Sequence, residues 1–137
     1  MATDKPSALI IEDHIDLSFI FAEALDQAGY VTAIANDGQV ALECLKTAAP
    51  TVILLDLHLP HVSGADILRY IRSEERLANT RVIIATANPG MAEPLIGKAD
   101  LVLIKPISFA QLRNIARQII APEPEDEGVT LEITHMG

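Results

Sequence analysis

Six residues have types that do chemistry and places that invite it. They are the acid pair Glu12-Asp13, the carboxylate Asp56, His58 two residues beyond it, the hydroxyl of Thr86 and the amine of Lys105. The acid pair, Asp56, Thr86 and Lys105 each close a short apolar run. Burying an unpaired carboxylate is costly, so Asp56 belongs where its run ends and the chain opens to solvent or a ligand. If the runs are parallel strands, their carboxyl ends meet at one edge, and three carboxylates meet with them. Like charges gathered in this way repel and require a cation. Oxygen-only ligands suit Mg²⁺, which keeps several waters and takes one or two carboxylates together with a phosphate. A lysine and a hydroxyl on the same edge can hold the other oxygens of a phosphoryl group. No cluster of His and Cys points to zinc.

The elements that position these residues follow from hydrophobic pattern. Thr51 to Leu55 has no polar alternation from Val52 onward, the mark of a strand buried on both faces at the centre of a parallel sheet. Residues 7–11, Tyr30 to Ala35, Arg81 to Ala85 and Leu101 to Ile104 read as four more strands. Between them lie helical patterns. Leu17, Ile20, Phe21, Ala24, Leu25 and Ala28 form one apolar face, closed by Gly29. Val40, Ala41, Leu42 and Leu45 form a second, Ile67, Leu68 and Ile71 a third. Ser108 caps a last helix with Leu112, Ile115, Ala116 and Ile119 facing in. Asn88 to Lys98 contains Pro89, Gly90, Pro94 and Gly97, and supports at most a short fourth helix. Strands alternating with helices predict an α/β domain with a parallel sheet covered on both faces.

The 137 residues suffice for one domain with a single core. Half are hydrophobic, with no Trp, so the core is built from Ile, Leu, Val and Ala. The net charge of −9 is uneven: residues 121–137 hold five acids and no Lys or Arg, and the rest carries −4. No basic stripe suits nucleic acid. Cys44 stands alone, which excludes an internal disulfide and fits a reducing compartment. No signal peptide or membrane-length apolar run is visible, so a cytoplasmic protein with no membrane partner is expected. Domain boundaries are expected at 1–6 for an N-terminal lead, 7–120 for the domain, and 121–137 for an acidic, disordered tail. Within that tail Val129 to Thr134 alternates like a strand but lacks an evident partner.

Five motifs stand in a diagnostic order: Leu-Ile-Ile-Glu12-Asp13, Leu-Leu-Asp56-Leu-His-Leu-Pro60 with Gly64, Ala-Thr86-Ala, Ala99-Asp100 and Lys105-Pro106. Over residues 7–120 the chain resembles the receiver domain of two-component response regulators. The resemblance implies a flavodoxin-like sandwich with strand order 2-1-3-4-5. It implies Asp56 as phosphoacceptor, with Glu12, Asp13, Asp56 and the backbone carbonyl of His58 around Mg²⁺. It implies Thr86 and Lys105 as partners of the phosphoryl oxygens, and a cis peptide before Pro106. A sensor histidine kinase or histidine phosphotransfer protein is the implied donor, and a homodimer is an option. Such a domain is a switch that assists its own phosphorylation and dephosphorylation, not a turnover enzyme.

Two departures from the family pattern stand out. Val102 occupies the place, three residues before Lys105, that usually holds Tyr or Phe. The interval from Thr86 to Lys105 is 19 positions, shorter than usual, and Lys98 replaces the usual Gly before Ala99-Asp100. Both touch the face that receivers use for dimers or output domains. With only residues 121–137 following, a stand-alone receiver is expected, and a phosphate-independent interaction module is the alternative. An aspartate phosphatase is disfavoured because His58 stands where its second Asp is needed. A flavin-binding flavodoxin is disfavoured because Glu12-Asp13 would repel the flavin phosphate.

Overall fold

A computed structural model describes residues 5–120. The first four residues and the tail at 121–137 lie outside the described residues, and with them the expected tail and its strand-like segment. Five strands form one sheet: β1 (Ser7–Ile11), β2 (Val31–Ala35), β3 (Val52–Asp56), β4 (Arg81–Thr86) and β5 (Leu101–Ile104). All pairings are parallel and the order is β2-β1-β3-β4-β5, as the resemblance implied. β3 is buried at every residue, as its unbroken apolar run requires.

Five helices cover the two faces: α1 (Ile15–Gln27), α2 (Gly38–Leu45), α3 (Gly64–Ser73), α4 (Pro89–Ala92) and α5 (Phe109–Ile120). α1 and α5 enclose one apolar cluster, with Phe21, Leu25, Leu112 and Ile115 against Ile10, Leu54 and Ile83. α2 and α3 enclose the other, with Leu45, Ile67 and Ile71 against Ile11, Ile53, Leu55 and Ile84. Odd and even strand residues divide between the clusters, the consequence of side chains alternating along a strand.

Most helices begin at a side-chain cap. His14 Nδ1 accepts the Leu17 N–H at 3.2 Å, Asp37 Oδ1 that of Val40 at 2.8 Å, and Ser63 Oγ that of Asp66 at 3.1 Å. Ser108 Oγ accepts the Gln111 N–H at 3.0 Å, the expected cap of α5. Each bond satisfies an N–H that the helix itself leaves open. The fourth helix is a single turn followed by a 3₁₀ turn at Glu93–Leu95, as its prolines and glycines predicted. The Lys105-Pro106 peptide is cis.

Three expectations are corrected. Ile20 is 47% exposed, because it sits roughly 100° around α1 from the centre of the buried stripe. Val40 is 46% exposed, leaving Ala41 and Leu45 as the buried residues of the second face. Tyr30 precedes β2 rather than starting it. Its ring is buried and its hydroxyl donates to the Ala116 carbonyl at 2.7 Å, tying the start of β2 to α5.

Candidate functional site

The parallel register carries the reactive residues to one edge. Asp56 is the last residue of β3, level with Ala85 on β4, and Thr86 ends β4 level with Ile104. Glu12 follows β1, its N–H donating to the Ala35 carbonyl at 3.1 Å. The Lys105 N–H donates to the Thr86 carbonyl at 2.8 Å, which fixes the β5 end beside β4. These ends open into a cleft of about 550 Å³.

Carboxylate oxygens of Glu12, Asp13 and Asp56 all lie within 4.8 Å of one another. Glu12 is 2% exposed and Asp56 5%, while Asp13 faces solvent. Lys105 Nζ reaches Glu12 Oε1 at 2.8 Å and Asp56 Oδ2 at 3.7 Å. One ammonium thus stands against two of the three clustered carboxyl groups, leaving negative charge in a largely buried place. Burial above all, and next the charge of Glu12, push the Asp56 carboxyl up to about 6, with Asp13 adding to the rise. The His58 N–H, which donates to Asp56 Oδ1 at 3.2 Å, and the Lys105 charge pull the other way. A close set of hard oxygen donors with an unmet charge fits a small divalent cation such as Mg²⁺.

The structure brings all six residues singled out in the sequence to this cleft, His58 included. The Thr86 hydroxyl is 1% exposed in its residue and accepts the Asn88 N–H at 3.1 Å, the turn that starts the β4–α4 loop. Sequence reasoning passed over His14, Leu17, Asn88 and Met91, which also line the cleft. For His14 the signal was available: it stands directly before the helical pattern, where a cap belongs.

The sequence profile described as the response regulator receiver domain matches residues 8–117. The chain belongs to the response regulator receiver domain family. This receiver is similar to the signal receiver domain of a putative Luxo repressor protein from Vibrio parahaemolyticus. That structure superposes with a TM-score of 0.76 at 31% identity, over 91% of this chain and 98% of the other. It is 32% identical over 115 residues to the probable transcriptional regulatory protein SilR of Salmonella typhimurium, covering 82% of this chain and 50% of that one. It is 29% identical to the probable methanogenesis regulatory protein FilR2 of Methanothrix harundinacea, covering 86% and 83%. The chain spans about half the length of several curated relatives that it matches. Among the described residues of the receiver, no helix is long and apolar enough to cross a membrane.

Val102 is half-buried, level with Ile84 on β4, and packs with Leu95 and Ala99 against the α2–α3 cluster. Beyond it the apolar side chains of Ile96 and Ile104 stay exposed, at 67% and 44%.

Proposed function

We propose that this receiver is a Mg²⁺-dependent phosphoacceptor switch in which Asp56 takes a phosphoryl group from a phosphohistidine. The supporting observation is the nearly buried Asp56 carboxylate, at the mouth of one cleft with two further carboxylates within 4.8 Å and Lys105 in reach. In the proposed step an Asp56 oxygen attacks phosphorus and the phosphorus–nitrogen bond to the donor imidazole breaks. Its electron pair stays on the imidazole nitrogen, and an acyl phosphate is formed. Asp13, Asp56, Glu12 and the His58 carbonyl would hold the metal, which when bound offsets the charge of the incoming phosphoryl oxygens.

The protein's own groups complete the site. Lys105 exchanges part of its pairing with Glu12 for a phosphoryl oxygen. Thr86 turns its hydroxyl from the Asn88 N–H toward another, and this gives the loop after β4 two states. The donor is a sensor histidine kinase or a histidine phosphotransfer protein, and the signal passes on through altered protein contacts. Incubation with Mg²⁺ and acetyl phosphate, read by intact mass, tests the reading. The wild type gains one phosphoryl group, and Asp56→Asn and chelated samples gain none. An unlabelled wild type would favour the phosphate-independent interaction module.

A further inference from the structure

The segment from Leu57 to Ser63 joins β3 to α3 and carries His58. Two glycines grip it. At Gly64 a Cβ would stand 2.5 Å from the Asp56 carbonyl oxygen and 2.6 Å from Leu57 Cα. At Gly38, the first residue of α2, a Cβ would stand 2.4 Å from the Val62 carbonyl oxygen and 2.8 Å from Val62 Cβ. Such separations lie inside van der Waals contact, and most of these atoms are backbone, so no rotamer change relieves them. Gly38 is not in the left-handed region, unlike Gly29 and Gly97. What position 38 requires is therefore space, not conformational freedom.

The loop has little slack to absorb a push. His61 holds φ at 71° and the Val62 N–H donates to the Pro60 carbonyl at 2.8 Å, which makes the tip a tight turn. The Gly64 N–H donates to the Leu57 carbonyl at 3.2 Å, closing the base. Leu57 is buried, and the His58 N–H is bonded to Asp56 Oδ1. A displacement at Val62 therefore travels back along constrained backbone to His58.

We propose that Gly38 is a positioning residue for the cleft: its missing side chain lets Val62 seat on α2, and this sets the His58 backbone beside Asp56. The proposal rests on the metal reading above, in which the His58 carbonyl is a ligand. It assigns the start of α2, on a different element from every ligand, a part in metal affinity. Helix propensity acts in the opposite sense, since alanine favours α2 over glycine and Asp37 already caps that helix. A loss of metal affinity in Gly38→Ala thus cannot come from a weaker helix.

The test is calorimetric titration of Mg²⁺ into the wild type, Gly38→Ala, Val62→Ala and, as control, Leu45→Ala. Leu45 is fully buried at the opposite end of the same helix, so its truncation loosens packing away from the Gly38–Val62 contact. Gly38→Ala is expected to bind Mg²⁺ about tenfold more weakly, with Val62→Ala changed in the same direction and Leu45→Ala unchanged. In the metal-free protein the His58 and Leu59 amide resonances shift in Gly38→Ala and stay in place in Leu45→Ala. Wild-type affinity in folded Gly38→Ala overturns the proposal, as does an equal loss in Leu45→Ala. If Gly38→Ala does not fold, wild-type affinity in Val62→Ala overturns it. A wild type that binds no Mg²⁺ refutes the metal reading itself, and an unaffected variant beside a binding wild type refutes only the role of Gly38.

Discussion

Asp56 is held in tension by its surroundings. Its carboxyl titrates at about 6 in the fold against 3.8 ordinarily, so between these values the folded state binds more protons than the unfolded chain. Stability from this group is fully present below about pH 4 and lost as pH rises through 6. At 1.36 kcal/mol per pH unit the loss is about 3 kcal/mol. In the metal-free protein, urea midpoints should therefore fall between pH 4 and 7. Asp56→Asn should flatten that fall and be the more stable protein at pH 7. A wild-type profile as steep in the variant would assign the slope to other groups. The same tension makes the carboxylate a ready partner for a cation or a phosphorus atom.

At the scale of elements, the segment between the short fourth helix and β5 is held from outside itself. Arg72, near the end of α3, holds it. Its guanidinium donates to the Lys98 carbonyl at 2.8 Å, the Thr80 carbonyl at 3.1 Å and Asp100 Oδ2 at 3.0 Å. Asp100 Oδ2 also accepts the Val82 N–H at 2.7 Å, so one clasp joins α3, β4 and the entry to β5. Arg72→Ala should cost about 1.5–3 kcal/mol in chemical denaturation, the range for hydrogen bonds to charged groups. The loop before α4 carries the proposed switch. With Val102 packed and small, no ring moves between an exposed and a buried pose. Beryllofluoride should therefore shift amide resonances mainly across residues 86–98, and little at Leu101 to Ile104. Large shifts centred on Val102 would contradict this route.

For the whole molecule, the proposed metal site in the acidic cleft would couple folding to metal. A ligand that binds only the folded state stabilises it by about 2.7 kcal/mol at a hundredfold excess over Kd. Mg²⁺ should accordingly raise the melting temperature, EDTA should reverse the rise, and Asp13→Ala should blunt it. No effect of Mg²⁺ on wild-type melting at millimolar concentration would count against the cleft as a cation site. The two apolar clusters lie on opposite sides of the sheet. The cleft at the strand ends is thus the place where both layers can report a change.

The sequence alone determined the elements, their order and the residues at the strand ends. Apolar runs and turn residues act locally, and each run ends where burial of a carboxylate, hydroxyl or amine becomes unfavourable. The motif order then implied the strand order, which local pattern cannot supply. Tertiary structure decided what depends on distance between remote segments. Only it brought Lys105 to Glu12 across 93 positions and let Tyr30 reach Ala116. It left Ile20 and Val40 exposed because a helix face is defined by what packs on it, not by its own composition. It also showed that Gly38 matters for room beside Val62, a requirement invisible until the loop and the helix are set against each other.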